Sequence, residues 1–260
     1  MQYQLPGNFY KNVIFALLVL IFTSGCARHK GLTKVKPEPE RSAYNWYNDA
    51  MQELVSHDYD KAVHSFTLLI EQHTGTIYAK KALLRIGDTY FKQEEYRSAK
   101  AAFQEFLKRY PGSSLSGHAK FMMGYSDFRM RYDYKHSQEN AQAAASELIG
   151  FITDYPQSSY KLKAENMLSV LINQLEKHEL YVTRFYLSID KPTAAMIRLN
   201  YLDNRYDVDN LKDITRYYRI QALIKLKKYK QAKSLLDMFP KNNIYYKRLR
   251  AVKRLNAKRF

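Results

Sequence analysis

From residue 43 onward apolar side chains recur every three to four positions, the spacing that gathers them on one stripe of a helix. Residues 77–111, IYAKKALLRIGDTYFKQEEYRSAKAAFQEFLKRYP, carry two such stripes separated by Gln93-Glu94-Glu95, which predicts a helical hairpin. Tyr160 to Ile189 runs without Gly or Pro and predicts one helix, about 45 Å long at 1.5 Å per residue. It stops before Pro192, whose fixed φ and missing amide proton suit the first turn of the next helix. One segment breaks the pattern: Val13 to Phe22 (VIFALLVLIF) is apolar throughout, preceded by Lys11 and followed by Thr23-Ser24-Gly25-Cys26. Ten helical residues rise about 15 Å, half the hydrocarbon thickness of a bilayer, so this run fits an export signal better than a membrane span.

The helical stripes also repeat. In the 77–111 hairpin, Leu83, Ile86, Gly87 and Tyr90 on the first helix, with Ala99, Phe103 and Phe106 on the second and Pro111 closing it, match the spacing of a tetratricopeptide repeat. Gly87 and Ala99 are small where the two helices cross, and Tyr90, Phe103 and Phe106 fill the space beside the crossing. The second-helix series, a small residue with apolar residues four and seven later, returns as Ala62, Phe66 and Leu69, as Ala144, Leu148 and Phe151 before Pro156, and as Ala195, Leu199 and Leu202. It returns in part as Ala232 and Leu236. First helices precede these at Ala43–His57 with Trp46 and Ala50, at Leu115–Arg131 with Gly124, and at Leu211–Lys227. The expected fold is all-α: a right-handed tetratricopeptide-repeat solenoid of about five helical hairpins over residues 43–240, with repeats near 43–74, 77–111, 115–156, 160–206 and 210–239. A single hairpin cannot bury its own stripe, so neighbours must stack.

In such an array the first helices line a concave groove through the residues six and three before the small residue and one and four after it. These are Tyr44, Tyr47, Met51 and Leu54, then Lys81, Leu84, Asp88 and Phe91, then His118, Phe121, Tyr125 and Phe128. Seven of these twelve are aromatic or Met, more than packing asks of a face turned to solvent. Tyr44, Tyr47, Met51, Lys81, Phe91, His118, Phe121, Tyr125 and Phe128 are therefore the candidate peptide groove. With Lys81 and His118 nearby, it would suit a peptide with an apolar aromatic end and a terminal carboxylate.

Composition narrows the picture. Nine Gly and seven Pro in 260 residues are too few for a loop-rich β protein, and one Cys excludes a disulfide framework or a multi-Cys zinc site. Small residues at 24 and 25 before that single Cys resemble a bacterial lipobox. On this reading residues 1–25 are a lipoprotein signal peptide, and Cys26 carries an S-diacylglycerol and an N-acyl chain, together enough for stable anchoring. Residues 26–42, polar and holding Pro37 and Pro39, form a tether. Ala27, where enteric-type sorting uses Asp for retention, directs the chain to the outer membrane. The net charge of +17 sits mainly at the ends: five basic residues against two acidic across 27–42, and eight basic with no acidic residue in the tail 241–260. That tail places Tyr245, Leu249 and Val252 at helical spacing among its cations. An exported chain rarely meets nucleic acid, so anionic lipid, an acidic partner or a capping helix are the readings open for it.

No catalytic pattern emerges. His178-Glu179 lacks the second His of a zinc-protease helix, and His57 and His64 fall on different helices, so no metal or other cofactor is expected. Gly112-Ser113-Ser114-Leu115-Ser116-Gly117 follows a helix where a nucleophile elbow follows a strand, and reads as a turn with Ser N-caps.

Lipobox, short tether and five repeats in this length resemble the BamD family of outer-membrane β-barrel assembly lipoproteins. The specific part is Tyr160-Lys-Leu-Lys-Ala164 leading to Lys177-His178-Glu179-Leu180-Tyr181-Val182-Thr183-Arg184-Phe185-Tyr186-Leu187, similar to the family's long-helix stretch, with Ala194, Ala195 and Arg198 in the helix that follows. The resemblance implies a non-enzymatic part of the β-barrel assembly machine, lipid-anchored at the periplasmic face of the outer membrane of a Gram-negative bacterium. It implies that the N-terminal repeats receive the C-terminal targeting strand of unfolded outer-membrane proteins and that the C-terminal repeats dock on a POTRA domain of the barrel subunit, alongside other assembly lipoproteins. Arg198 is then the candidate contact to an acidic residue of the barrel subunit. The alternative is a lipid-anchored scaffold of another envelope complex, serving a secretin or peptidoglycan assembly. The sequence departs from the family at His73-Thr74-Gly75-Thr76-Ile77-Tyr78, in place of its YPFGxY turn, at the short connection Tyr132–Asn140, and in the basic extension.

Overall fold

The structure, a computed structural model, describes residues 41–206 and 211–255, the last five without their side chains. The expected signal peptide of residues 1–25, Cys26 with its lipids, most of the tether and the end of the basic tail lie outside the described residues. From Ala43 onward the described elements are all helices: α1 (Ala43–Val55), α2 (Tyr59–Gln72), α3 (Ile77–Lys92), α4 (Tyr96–Arg109), α5 (Ser116–Met130), α6 (Glu139–Asp154), α7 (Lys161–Ser188), α8 (Pro192–Arg205), α9 (Lys212–Lys225), α10 (Tyr229–Asp237) and α11 (Ile244–Leu255). As far as α10 each helix packs on the next in sequence, and α11 packs on α9. First helices also touch first helices, α1 with α3, α3 with α5, α5 with α7 and α7 with α9, so they share one side of a stack of hairpins.

The crossing points explain why the chain stacks. Ala62, Ala99, Ala144, Ala195 and Ala232 are all fully buried, and so are Phe66, Phe103, Leu148 and Leu199 one helical turn on. A Cβ built on Gly87 would lie 2.6 Å from the Phe103 ring, and one on Gly124 would lie 3.1 Å from Leu148. These glycines are therefore required by close helix approach, not by turn geometry. Phe239, seven residues after Ala232 and buried, completes the fifth series from just beyond the end of α10.

Four of the five hairpins close with the same turn. His57, Glu94, Asp190 and Lys227 have φ of 66°, 63°, 57° and 60°, and each stands two residues before a second helix. In each case the next residue's amide donates to a carbonyl five residues back, as Glu95 does to Tyr90 at 2.9 Å and Lys228 to Leu223 at 2.9 Å. This is a Schellman motif made without its usual glycine, at the cost of left-handed backbone in a residue with a Cβ. The third hairpin departs from the pattern. Its connection from Arg131 to Gln138 lies against the middle of α7: Gln174 donates to the Tyr132 carbonyl at 2.8 Å, and Nδ1 of His178 hydrogen-bonds the Tyr134 carbonyl at 2.7 Å. At 28 residues α7 is about 42 Å long and carries this connection at its midpoint. No described helix is long and apolar enough to cross a membrane.

Candidate functional site: the inner face of the first helices

Because α1, α3, α5 and α7 lie in a row, side chains at matching positions come together across helices. Tyr44 is exposed, with its ring 5.6 Å from that of Tyr78, and Tyr47 meets the same ring at 5.7 Å. The Lys81 ammonium lies 5.7 Å above Tyr78. Met51 is half-buried on α1 and borders a shallow depression with Asn48, Gln52 and Val55. Phe91 on α3 packs against Tyr125 on α5 at 4.7 Å, and Tyr125 against Phe128 at 6.3 Å. The Arg131 guanidinium covers the Phe128 ring at 3.6 Å, and the Lys163 ammonium sits 4.4 Å over Tyr125. Such contacts hold a cation over an aromatic face that is itself still apolar.

A polar chain crosses the same helices. The Tyr47 hydroxyl accepts from Nε of Arg85 at 3.4 Å, Nη1 of Arg85 donates to Asp88 at 2.8 Å, and Asp88 meets Nε2 of His118 at 2.7 Å. Nδ1 of His118 then lies 3.1 Å from the Tyr160 hydroxyl at the start of α7. Burial opposes the Arg85 charge, yet the Tyr47 hydroxyl and Asp88 outweigh it and hold its pKa above the ordinary value. The chain links four successive repeats and fixes the side chains from which the aromatic face is built.

Three residues read as groove lining stand elsewhere. Phe121 is 1% exposed: the Tyr160 ring stacks on it at 4.6 Å and 7°, so it supports the face from beneath and does not touch solvent. Leu54 and Leu84 are buried likewise between helices. His118 is at the face, but both ring nitrogens are already engaged, which makes it a strut. Arg85, Tyr160 and Lys163 join the face although helical spacing alone did not predict them there. A signal for Lys163 existed: Ala82 and Ala119 lie five residues before Gly87 and Gly124 and are fully buried, and Ala164 is the next in that series. Carrying the register through Ala164 aligns Lys163 with Lys81 and His118.

Arg198, the candidate partner contact, lies on α8 with its side chain 40% exposed, and its Nη1 is 3.4 Å from the carboxylate of Glu179, which is 5% exposed. It therefore has a structural task within the chain before any partner arrives. Ile197 and Tyr201 beside it are exposed. The serines of residues 113–116 do not cap α5 in the expected way. Ser113 Oγ accepts from the Leu115 amide at 3.2 Å, while the buried Ser116 hydroxyl donates to the Tyr110 carbonyl at 2.9 Å; neither is poised as a nucleophile. Among the described residues no group of three or more His, Cys, Asp or Glu is placed to hold a metal ion.

Stacked helical hairpins with small residues at each crossing and an aromatic inner face define a tetratricopeptide-type repeat protein. Residues 39–238 match the family described as YfiO, outer membrane lipoprotein, and the chain belongs to that family. Among its relatives is the outer membrane protein assembly factor BamD of Helicobacter pylori, 24% identical over 196 residues, covering 75% of this chain and 87% of that one. The BamD of Rickettsia prowazekii is 24% identical over 182 residues, covering 69% of each chain, and that of Caulobacter vibrioides 22% over 220 residues, covering 85% and 72%. Of solved structures, the TPR2AB-domain:pHSP90 complex of yeast Sti1 aligns with a TM-score of 0.44 at 12% identity, covering 75% of each chain.

Proposed function

We propose that this chain is a non-enzymatic assembly factor of the machinery that folds and inserts outer-membrane β-barrel proteins. The observation that carries the reading is the inner face of repeats one to three, where Phe91, Tyr125 and Phe128 present aromatic surface under fixed cations in a chain of this family. Such a face takes an extended peptide with an aromatic end: rings stack on Tyr125 and Phe91, and the terminal carboxylate meets the Lys163 ammonium, with Lys81 further along the row. The C-terminal targeting strand of an unfolded outer-membrane protein has that chemistry. Lipids on Cys26 hold the chain at the periplasmic face of the outer membrane, with residues 26–42 as the tether. The half of Arg198 not turned to Glu179 faces outward beside Ile197 and Tyr201, and there meets an acidic residue on a POTRA domain of the barrel subunit. Other assembly lipoproteins share the remaining surface.

Detergent extraction of membranes followed by affinity purification of the full chain tests this. A large β-barrel subunit with periplasmic domains is expected to co-purify. Recovery of a secretin or a peptidoglycan synthase in its place would overturn the reading in favour of a scaffold for another envelope complex. Cys26→Ala is expected to leave the repeats folded and release the protein from membranes, and membrane retention of that variant in high salt would remove the lipid anchor.

A further inference from the structure

A second concavity lies away from the inner face of the first three repeats. The midpoint of α7, the Arg131–Gln138 connection and α9 border an open pocket of about 360 Å³. Leu180, 9% exposed, lies in its lining, the rings of Tyr134, Tyr181 and Tyr218 stand around it, and Lys177 and Arg184 complete it. Lys177 and Arg184 are seven residues apart on α7, two turns or about 10 Å along one face.

Several exposed or half-buried cations of this molecule are paired with carboxylates: Lys100 with Asp127, Lys120 with Asp154, Arg198 with Glu179, Arg219 with Asp203 and Lys225 with Asp190. Among the described residues neither Lys177 nor Arg184 has one, although both are exposed. Of the acidic residues near them, Glu176 and Glu179 are buried, Glu179 against Arg198, and Asp133 is paired with His136. More positive charge converges here. Burial pushes the Tyr218 pKa up, and the nearby charges of Arg184 and Arg248 pull against that shift, so α11 adds a cation near the same ring. Lys135 lies 5.8 Å from the Tyr134 ring.

We infer that this pocket is a docking site for an acidic peptide segment of a partner protein, with carboxylates on Lys177 and Arg184 and an apolar side chain over Leu180. Charge complementarity selects the sign, and the spacing of about two helical turns suits two carboxylates on one segment better than a single ion. The tyrosines offer flat apolar surface with hydroxyls at its edge, the composition of interface anchors. A membrane surface fits the pocket less well: anionic headgroups form a plane, whereas Leu180 lies recessed among Tyr134, Tyr181 and Tyr218.

The test measures binding of a fluorescently labelled twelve-residue peptide, holding four Glu and a central Leu, to the full-length chain, with a Gln-for-Glu version as control. Lys177→Glu with Arg184→Glu is expected to weaken the Glu peptide at least tenfold, while Lys92→Glu with Lys108→Glu, the same charge change at exposed sites on α3 and α4, weakens it less than twofold. The Gln peptide is expected to bind at least tenfold more weakly than the Glu peptide. Equal losses in the two charge-reversed proteins, or equal binding of the two peptides, would overturn the site. So would a result in which Lys177→Glu with Arg184→Glu abolishes sedimentation with phosphatidylglycerol vesicles but leaves peptide affinity intact, since that assigns the cations to lipid. Binding of an aromatic-ended peptide to the inner face should be unchanged in Lys177→Glu with Arg184→Glu, which separates failure of this site from failure of the groove.

Discussion

The inner face of the first three repeats and the pocket around the midpoint of α7 use the same residue types to opposite ends. On the inner face, charged groups are consumed internally: Arg85, Asp88 and His118 form one hydrogen-bonded chain, and Arg131 and Lys163 lie over aromatic rings. What remains for a ligand is aromatic surface with the Lys163 ammonium at its edge, which has no carboxylate among the described residues. At the pocket, tyrosines surround a small apolar patch, and Lys177 and Arg184 stand without carboxylates among the described residues. On the readings proposed for them, the first surface is preorganised and selects by stacking together with one terminal carboxylate, whereas the second selects by charge and weakens more steeply as salt rises. A single helix serves both: the start of α7 contributes Tyr160 and Lys163 to one, and its midpoint contributes Lys177 and Arg184 to the other.

Loosening the scaffold under the inner face alone has the largest expected effect. Asp127 on α5 is 1% exposed and takes the Lys100 ammonium of α4 at 2.7 Å, so Asp127→Ala strands a cation next to a buried site. A loss of about 3 kcal/mol in chemical denaturation is expected, with hydrogen exchange rising in α4 and α5 before α9 and α10. A loss below about 1 kcal/mol would mean that the ion pair does not hold these helices together. Arg198→Glu comes next. It sets a second carboxylate against the buried Glu179, and a destabilisation of about 1–2 kcal/mol is expected, discounted because Arg198 is 40% exposed. A partner-binding defect in that variant would therefore be mixed with misfolding. Glu179→Gln with Arg198→Gln removes both charges and leaves only the partner contact to be read, by co-purification of the barrel subunit. The smallest effect concerns the shared turn. Lys227→Gly relieves left-handed backbone at φ 60° and is expected to raise stability by about 0.5–1 kcal/mol, detectable as a higher melting temperature. A fall would show that the turn is held by the Lys227 side chain.

Much of the architecture was legible in the residues because it depends on local spacing. The series of small and large apolar side chains at Ala62, Ala99, Ala144 and Ala195 carries the crossing points directly, and these are the buried contacts observed. The fifth crossing was half hidden because Phe239 lies past the end of α10, where helical spacing no longer applies. The turns were not legible, since a Schellman motif advertises itself by glycine and His57, Glu94, Asp190 and Lys227 carry none. At the inner face, spacing put the expected groove residues on one side of each helix but gave no depth: Phe121 has the register of a lining residue and is buried where Tyr160, at the start of α7, stacks over it. The Arg198–Glu179 pair and the pocket at the midpoint of α7 depend on contacts between helices far apart in sequence, which periodicity within one helix cannot report.

If the inner face of the first three repeats holds an aromatic peptide end by stacking and a terminal carboxylate by the Lys163 ammonium, binding depends on both features of the peptide. The most direct measurement is fluorescence anisotropy of the full-length chain with a labelled ten-residue peptide ending in Phe, in free-acid and C-terminally amidated forms, against the unaltered protein and Tyr125→Ala. Amidation and Tyr125→Ala are each expected to weaken binding about tenfold, with no change from Lys177→Glu. Equal affinity across the two peptides and the two proteins would contradict that expectation.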